Sequence, residues 1–297
     1  MSYIFKKMCC LLDYIKVLPQ YCLPKHGLSS LVYKLTRIRL KAWKNFLINT
    51  FVKIYKVDMK QAIWPNADDY SSFNAFFTRE LQPKARYWMI DQQNILSPVD
   101  GAIYQIGEIN LSYIFQAKDK QFSLEALLAN DVDMVKQFID GHFATLYLSP
   151  RDYHRIHMPV TGRLIKSTYV PGDLFAVNNP TTRTIDGLFA RNERFISIFE
   201  TELGLMAQIM VGALFVGSME TVFAGQITPT KHREITTKNY EDDEKSISLK
   251  QGDEFGHFNM GSTVILLFEK DKMKWLEEMK AGGAIQVGKV IGKAKQI

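Results

Sequence analysis

Cysteine is nearly absent from this chain: Cys9, Cys10 and Cys22 are its only three in 297 residues, and all lie near the N-terminal end. That number and spacing exclude a disulfide framework and a structural zinc site, and they point to reducing, cytoplasmic surroundings. No secretory leader is expected, because Lys6, Lys7, Asp13 and Lys16 interrupt the first twenty residues and no small-residue cleavage site follows. Long apolar runs are also missing, with one near exception at Leu203–Met219. Gly204, Gly212 and Gly217 break that run and Glu220 stops it, so it predicts two buried strands rather than a membrane-spanning helix. There is no P-loop, dinucleotide fingerprint, internal repeat or G-x-S-x-G elbow. No helix-turn-helix, RNP or zinc-finger pattern occurs either, so nucleic acid is not an expected partner.

Charge is present but uneven. Residues 1–60 hold twelve Lys and Arg against Asp13 and Asp58, whereas the whole chain carries a net charge of only +6. The body beyond is therefore net acidic, and the basic N-terminal segment points to an anionic surface. Within it, residues 28–46 predict one amphipathic helix. Leu28, Leu31, Leu35, Ile38, Ala42 and Phe46 share a face, and Lys34, Arg37, Lys41 and Lys44 occupy the other. Such a helix suits a membrane interface, where each basic residue near an anionic leaflet contributes roughly 1 kcal/mol. A boundary near residue 60 separates this segment (1–60) from the body (61–297), where Pro65, Asp68-Asp69 and Ser71-Ser72 change the composition.

The body reads as α+β, with mostly antiparallel sheets. Ser97-Pro98-Val99-Asp100-Gly101 is a turn that carries one carboxylate into a strand at 102–106. Ser123 and Asp131 are expected to cap short helices. Turn signals punctuate apolar runs from Val170 to Gly225, the rhythm of an antiparallel system. Residues 228–246 read as a polar, mobile excursion, and Asp271 as the cap of a short helix ended by Gly282-Gly283. A last strand is expected within Ile285–Val290.

Two stretches carry chemistry. Thr145–Leu148 reads as a strand and leads into Tyr153-His154-Arg155-Ile156-His157-Met158-Pro159. The His-x-x-His pair lacks further ligands at metal-site spacing, which leaves structural or acid/base roles for the imidazoles. Gly261-Ser262-Thr263 precedes the apolar run Val264–Phe268. Gly261 has no side chain, so a neighbouring hydroxyl can approach its carbonyl closely. Taken alone, this is a turn entering a buried strand.

Together the motifs say more. Phe76-Phe77-Thr78-Arg79-Glu80-Leu81, Ser97–Gly101, Tyr153–Pro159, Val170–Phe175, Leu188–Arg194 and Gly261-Ser262-Thr263 occur in that order. From about residue 60 onward the chain resembles bacterial, membrane-associated phosphatidylserine decarboxylase proenzymes. It departs from the usual pattern at Met260, where leucine is customary.

The resemblance implies an Asp100–His157–Ser262 triad in which Ser262 attacks the Gly261 carbonyl. Cleavage there would yield a large and a small chain and convert Ser262 into a covalent pyruvoyl cofactor. That cofactor would form a Schiff base with phosphatidylserine, release carbon dioxide and leave phosphatidylethanolamine, with His154 supporting decarboxylation. The resemblance further implies peripheral association with the cytoplasmic face of the inner membrane, no metal, and a homodimer. Two other readings stay open at this point: pyruvoyl chemistry on a soluble amino acid, and a peripheral membrane-binding protein whose Gly-Ser-Thr is inert.

Overall fold

The strand Thr263–Phe268 lies between Gly204–Val211 on one side and His142–Tyr147 on the other, antiparallel to both. All six of its residues are buried, so it reads as an unbroken apolar run because both faces of the sheet are covered. The computed structural model describes residues 12–117, 120–216, 218–230, 233–241 and 246–295. Cys9, Cys10 and Gly217 lie outside the described residues.

Around that strand a nine-stranded antiparallel sheet runs in the order 236–239, 162–170, 194–201, 204–211, 263–268, 142–147, 101–108 and 284–285, with 248–249 also pairing onto 162–170. A second sheet places Arg155–His157 against Glu254–Phe258, and a third holds Asn94–Leu96, Val290–Ala294 and Met273–Trp275. With the N-terminal helices this is an α+β fold. Gly204–Val211 is the first of the two strands expected within 203–219, but the second begins only at Met219 and runs to Thr221. The last strand expected over 285–290 is instead a turn at 286–289 between Ala284–Ile285 and Val290–Ala294. Ser123 and Asp131 cap their helices by accepting from the amides of Ala126 and Met134.

Four further local expectations are corrected. The single helix over 28–46 is two, Lys25–Leu35 and Lys41–Tyr55. At the break the Thr36 hydroxyl donates to the carbonyls of Val32 and Tyr33, Trp43 Nε1 donates to Leu35 O, and the Thr36 carbonyl accepts from Asn74 N. Those partners satisfy the carbonyls at the helix end that a continuing helix would have used. Lys44 also leaves the expected basic face: it is buried and donates to Ala67 O and Asn45 Oδ1. The excursion at 228–246 contains an edge strand, Thr236–Asn239, paired with residues 166–169, where threonine favours the extended backbone. After Asp271 there is a strand, Met273–Trp275, rather than a helix; Asp271 is left-handed at φ 62° and Met273 turns into the core.

Leu266 sits opposite Ala144 and Gln208 and is wholly buried. Leu266→Ala is expected to cost about 2–5 kcal/mol, the range for emptying a core site that cannot collapse. A urea titration reads this as a lower midpoint at unchanged slope. A midpoint matching the wild type would mean the central strand is not what holds the sheet together.

Candidate active site

Gly261 and Ser262 stand at the head of the central strand, and the turn before them is tied down from two sides. Asn259 accepts from Asn74 Nδ2 at 2.9 Å and donates through its own Nδ2 to Ser218 Oγ at 2.9 Å. Met260 packs with Ile48, Phe73, Phe76 and Phe77 in a second apolar cluster that includes the helix Lys41–Tyr55. Phe51 of that helix meets Phe73, Phe76 and Phe77 edge-on, with ring centroids 5.2–6.0 Å apart. The N-terminal segment therefore forms part of the site's wall.

Ser262 is 2% exposed, and its hydroxyl has no hydrogen-bond partner. Its carbonyl accepts from Leu148 N at 2.9 Å, which holds the backbone while the side chain stays uncommitted. A buried hydroxyl without a partner forgoes part of its hydration energy, a condition common where the group has chemical work.

His154 is the imidazole nearest the turn. A β-carbon built on Gly261 would lie 2.2 Å from its Nε2, closer than any real contact, so only glycine fits there. The ring packs against Phe77 at a tilt of 36° with centroids 4.0 Å apart and is fully buried, and among the described residues neither of its nitrogens has a hydrogen-bond partner. Burial, and secondarily the Arg79 charge, pushes its pKa down to about 3. At neutral pH it is therefore a neutral ring with a lone pair free to take a proton.

His157 lies on the strand Arg155–His157. Its Nε2 meets Tyr153 OH at 3.0 Å and its Nδ1 meets Gly252 O at 2.8 Å; the carbonyl can only accept, so Nδ1 carries the proton. Trp88 and Tyr153 pack on the ring, and burial lowers its pKa. Asp100 is also buried. It forms an ion pair with Arg86, whose Nε donates at 3.1 Å, and accepts from Val287 N at 2.9 Å. Gly101 must follow it without a side chain, since a β-carbon there would lie 2.1 Å from Tyr147 O.

The structure thus brings His154 against Gly261, the residue before Ser262. It places Asp100 and His157 on neighbouring segments, His157 N donating to Pro98 O at 2.8 Å. Among the described residues no hydrogen bond joins Asp100 to His157, or His157 to Ser262. Sequence reading missed Arg86, Trp88 and the Gly252 carbonyl, because nothing local marks a residue whose partner is remote in the chain. Phe77 lay within a quoted motif but had no assigned role.

Gly261 and Ser262 open onto a cleft of about 400 Å³ walled by Phe51, Tyr55, Leu148, Val177 and Phe215. No charged side chain lines it. Among the described residues no cluster of His, Cys, Asp and Glu could hold a metal ion, and no helix is long and apolar enough to cross a membrane.

Residues 73–293 match the family model described as "Phosphatidylserine decarboxylase", and residues 15–56 match one described as "PSD". The chain is 47% identical to a protein of Saccharophagus degradans over 92% of its own length and 94% of the relative's. It is 49% identical to one from Shewanella sediminis (88% and 92% covered) and 46% identical to one from Shewanella pealeana (95% and 99% covered). Each of these relatives bears the name phosphatidylserine decarboxylase proenzyme.

Proposed function

The chain belongs to the phosphatidylserine decarboxylase family, and from that membership we propose that it is a self-cleaving carboxy-lyase that converts phosphatidylserine to phosphatidylethanolamine at a membrane surface. The observation that carries this reading is the contact of His154 with Gly261 at the floor of an uncharged cleft.

In the first act Ser262 attacks the carbonyl of Gly261. Adjacency in the chain supplies much of the acceleration, and the uncommitted hydroxyl has no hydrogen bond to give up. His157 is assigned as the base and Asp100 as the group that steadies its imidazolium. This requires Asp100 to exchange Arg86 for the imidazole, and His157 to leave both the Gly252 carbonyl and the Tyr153 hydroxyl and turn its Nε2 towards Ser262. The C–N bond between Gly261 and Ser262 breaks as an ester forms to Ser262 Oγ. β-Elimination then releases the Gly261 carboxylate and leaves a dehydroalanine, whose imine tautomer water hydrolyses to ammonia and a pyruvoyl group at position 262. Residues 1–261 become the large chain and 262–297 the small one, retained by its six paired strand residues.

The residues present fit such a group: position 262 is buried, glycine is the only neighbour His154 tolerates, and the cleft outside is apolar. When formed, it supplies a carbonyl that can take the substrate amine and accept electrons as carbon dioxide leaves. Around it His154, set against Gly261, is placed to pass a proton to the carbon that loses carboxylate. Phe77 packs on the ring, and the walls of the cleft are mostly apolar.

A lipid substrate accounts for the N-terminal helices. Leu18, Leu31, Leu40, Phe46 and Ile54 are exposed there, interspersed with basic residues, as suits peripheral attachment to an anionic leaflet. This favours a lipid over a free amino acid. Intact mass spectrometry of the purified protein is expected to find two chains split at Gly261–Ser262, and vesicles containing phosphatidylserine are expected to yield phosphatidylethanolamine. A single unmodified chain of 34.1 kDa without that conversion would refute the reading.

A further inference from the structure

An uncharged cleft poses a problem for an anionic lipid, because the phosphodiester of the headgroup must be neutralised somewhere. Beside the cleft lies a second cavity of about 260 Å³. Tyr55 and Pro150 line the first, Lys56 and Arg151 the second, so the helix end and the turn before His154 form a shared wall. Its cations are Lys56, Arg79, Arg86 and Arg151, and its carboxylates Asp58, Asp100 and Asp152.

The carboxylates are committed elsewhere. Asp100 pairs with Arg86, Asp152 accepts from Ser149 N and Oγ at 2.7 Å, and Asp58 accepts from Lys60 N and Gln61 Nε2. Arg79 is therefore left without a bonded carboxylate. It is 4% exposed and lies over the Phe76 ring at 5.3 Å; Nη2 donates to the carbonyls of Arg151 and Asp152, while among the described residues Nε and Nη1 have no hydrogen-bond partner. A buried guanidinium without a directly bonded carboxylate is costly to maintain; burial, and secondarily the Arg86 charge, lowers its pKa, against the opposing influence of Tyr70, Asp100 and Asp152. Arg151 stands at the rim, its side chain 69% exposed with only a loose 3.8 Å approach to Asp152.

We propose that this cavity binds the phosphodiester of the substrate headgroup, with Arg151 and Lys56 contacting its oxygens and Arg79 supplying a buried positive charge beneath them. This rests on the decarboxylase reading above. The chemistry also decides which anion goes there. Decarboxylation discharges the carboxylate, so a cation bound to it would stabilise the substrate more than the transition state. The phosphodiester keeps its charge throughout, and cations that hold it anchor the lipid without opposing the reaction. The carboxylate is left in the uncharged cleft beside His154.

Arg79 is too deeply packed for a clean test, whereas Arg151 is exposed. Steady-state kinetics on a short-chain phosphatidylserine, kept below its micelle concentration, are expected to show KM raised roughly tenfold or more in Arg151→Gln, the loss of one charge-assisted hydrogen bond. Self-cleavage should remain complete, and Arg151→Lys should recover part of the affinity. Lys274→Gln, an exposed change on the strand Met273–Trp275, controls for bulk charge. Inorganic phosphate should inhibit the wild type competitively, and more weakly in Arg151→Gln. An unchanged KM in Arg151→Gln, an equal rise in Lys274→Gln, or non-competitive inhibition (a regulatory phosphate rather than a headgroup) would each overturn the proposal. Wild-type enzyme that makes no product would instead defeat the decarboxylase reading itself, a separate outcome.

Discussion

Ser262→Ala is expected to leave one intact chain with no decarboxylase activity. The substitution removes a buried hydroxyl that makes no hydrogen bond among the described residues. Deleting an unpartnered buried polar atom costs little folding free energy and can be mildly stabilising. The backbone contact from Leu148 N to the carbonyl at 262 is unaffected. Loss of cleavage in a folded protein would therefore report chemistry rather than misfolding. Thr263 provides the internal control: its hydroxyl is also buried and unpartnered, one residue further on. Thr263→Val should still split, because the hydroxyl at 262 adjoins the carbonyl to be broken. Denaturing electrophoresis with intact mass decides the matter, and a Ser262→Ala protein that still splits would remove this serine as nucleophile.

His154→Phe carries the second large effect. The phenyl ring can keep the stack on Phe77 while removing both ring nitrogens, so product formation is expected to fall about 10²–10⁴-fold, the usual worth of a positioned acid or base. Cleavage at Gly261–Ser262 should persist, because His157 is the assigned base for that step. A variant as active as wild type would take His154 out of the chemistry.

The same substitution has a pH signature. The ring titrates near 6.5 when unfolded and at about 3 when folded, so between those values the unfolded chain binds the extra proton. Stability from the neutral buried ring is fully present above about pH 6.5 and is lost progressively as pH falls towards 3. By pH 5 the loss is about 2 kcal/mol, at 1.36 kcal/mol per unit. His157, also lowered by burial, acts in the same direction, so His154→Phe should flatten the acid limb without abolishing it. Urea midpoints at pH 7 and pH 5 give the comparison; equal acid losses in the two proteins would contradict a buried neutral His154.

Some of this was readable from short stretches of chain. Ser123 and Asp131 announced their helices because a cap acts over three residues. Val264–Phe268 announced a buried strand because its apolar run is continuous. Where a remote partner intervened, local pattern failed. Apolar spacing ran straight through Thr36, yet the carbonyl there is taken by Asn74 and the helix ends. The threonines at 236 and 237 looked like loop until the sheet edge at 166–169 gave them a ladder.

Sequence by itself determined the chemistry available: a serine after a side-chain-free carbonyl, two histidines three residues apart, a carboxylate on a glycine turn, and a basic, apolar-studded N-terminal segment. Those are covalent facts, and folding cannot alter them. Only the tertiary structure decided which imidazole lies on Gly261, which cation holds Asp100, and that the cleft is uncharged while its neighbour is cationic. The reason is that strand register and helix packing bring together segments far apart in the chain, and the buried area that favours one arrangement over another belongs to the whole sheet rather than to any stretch of it.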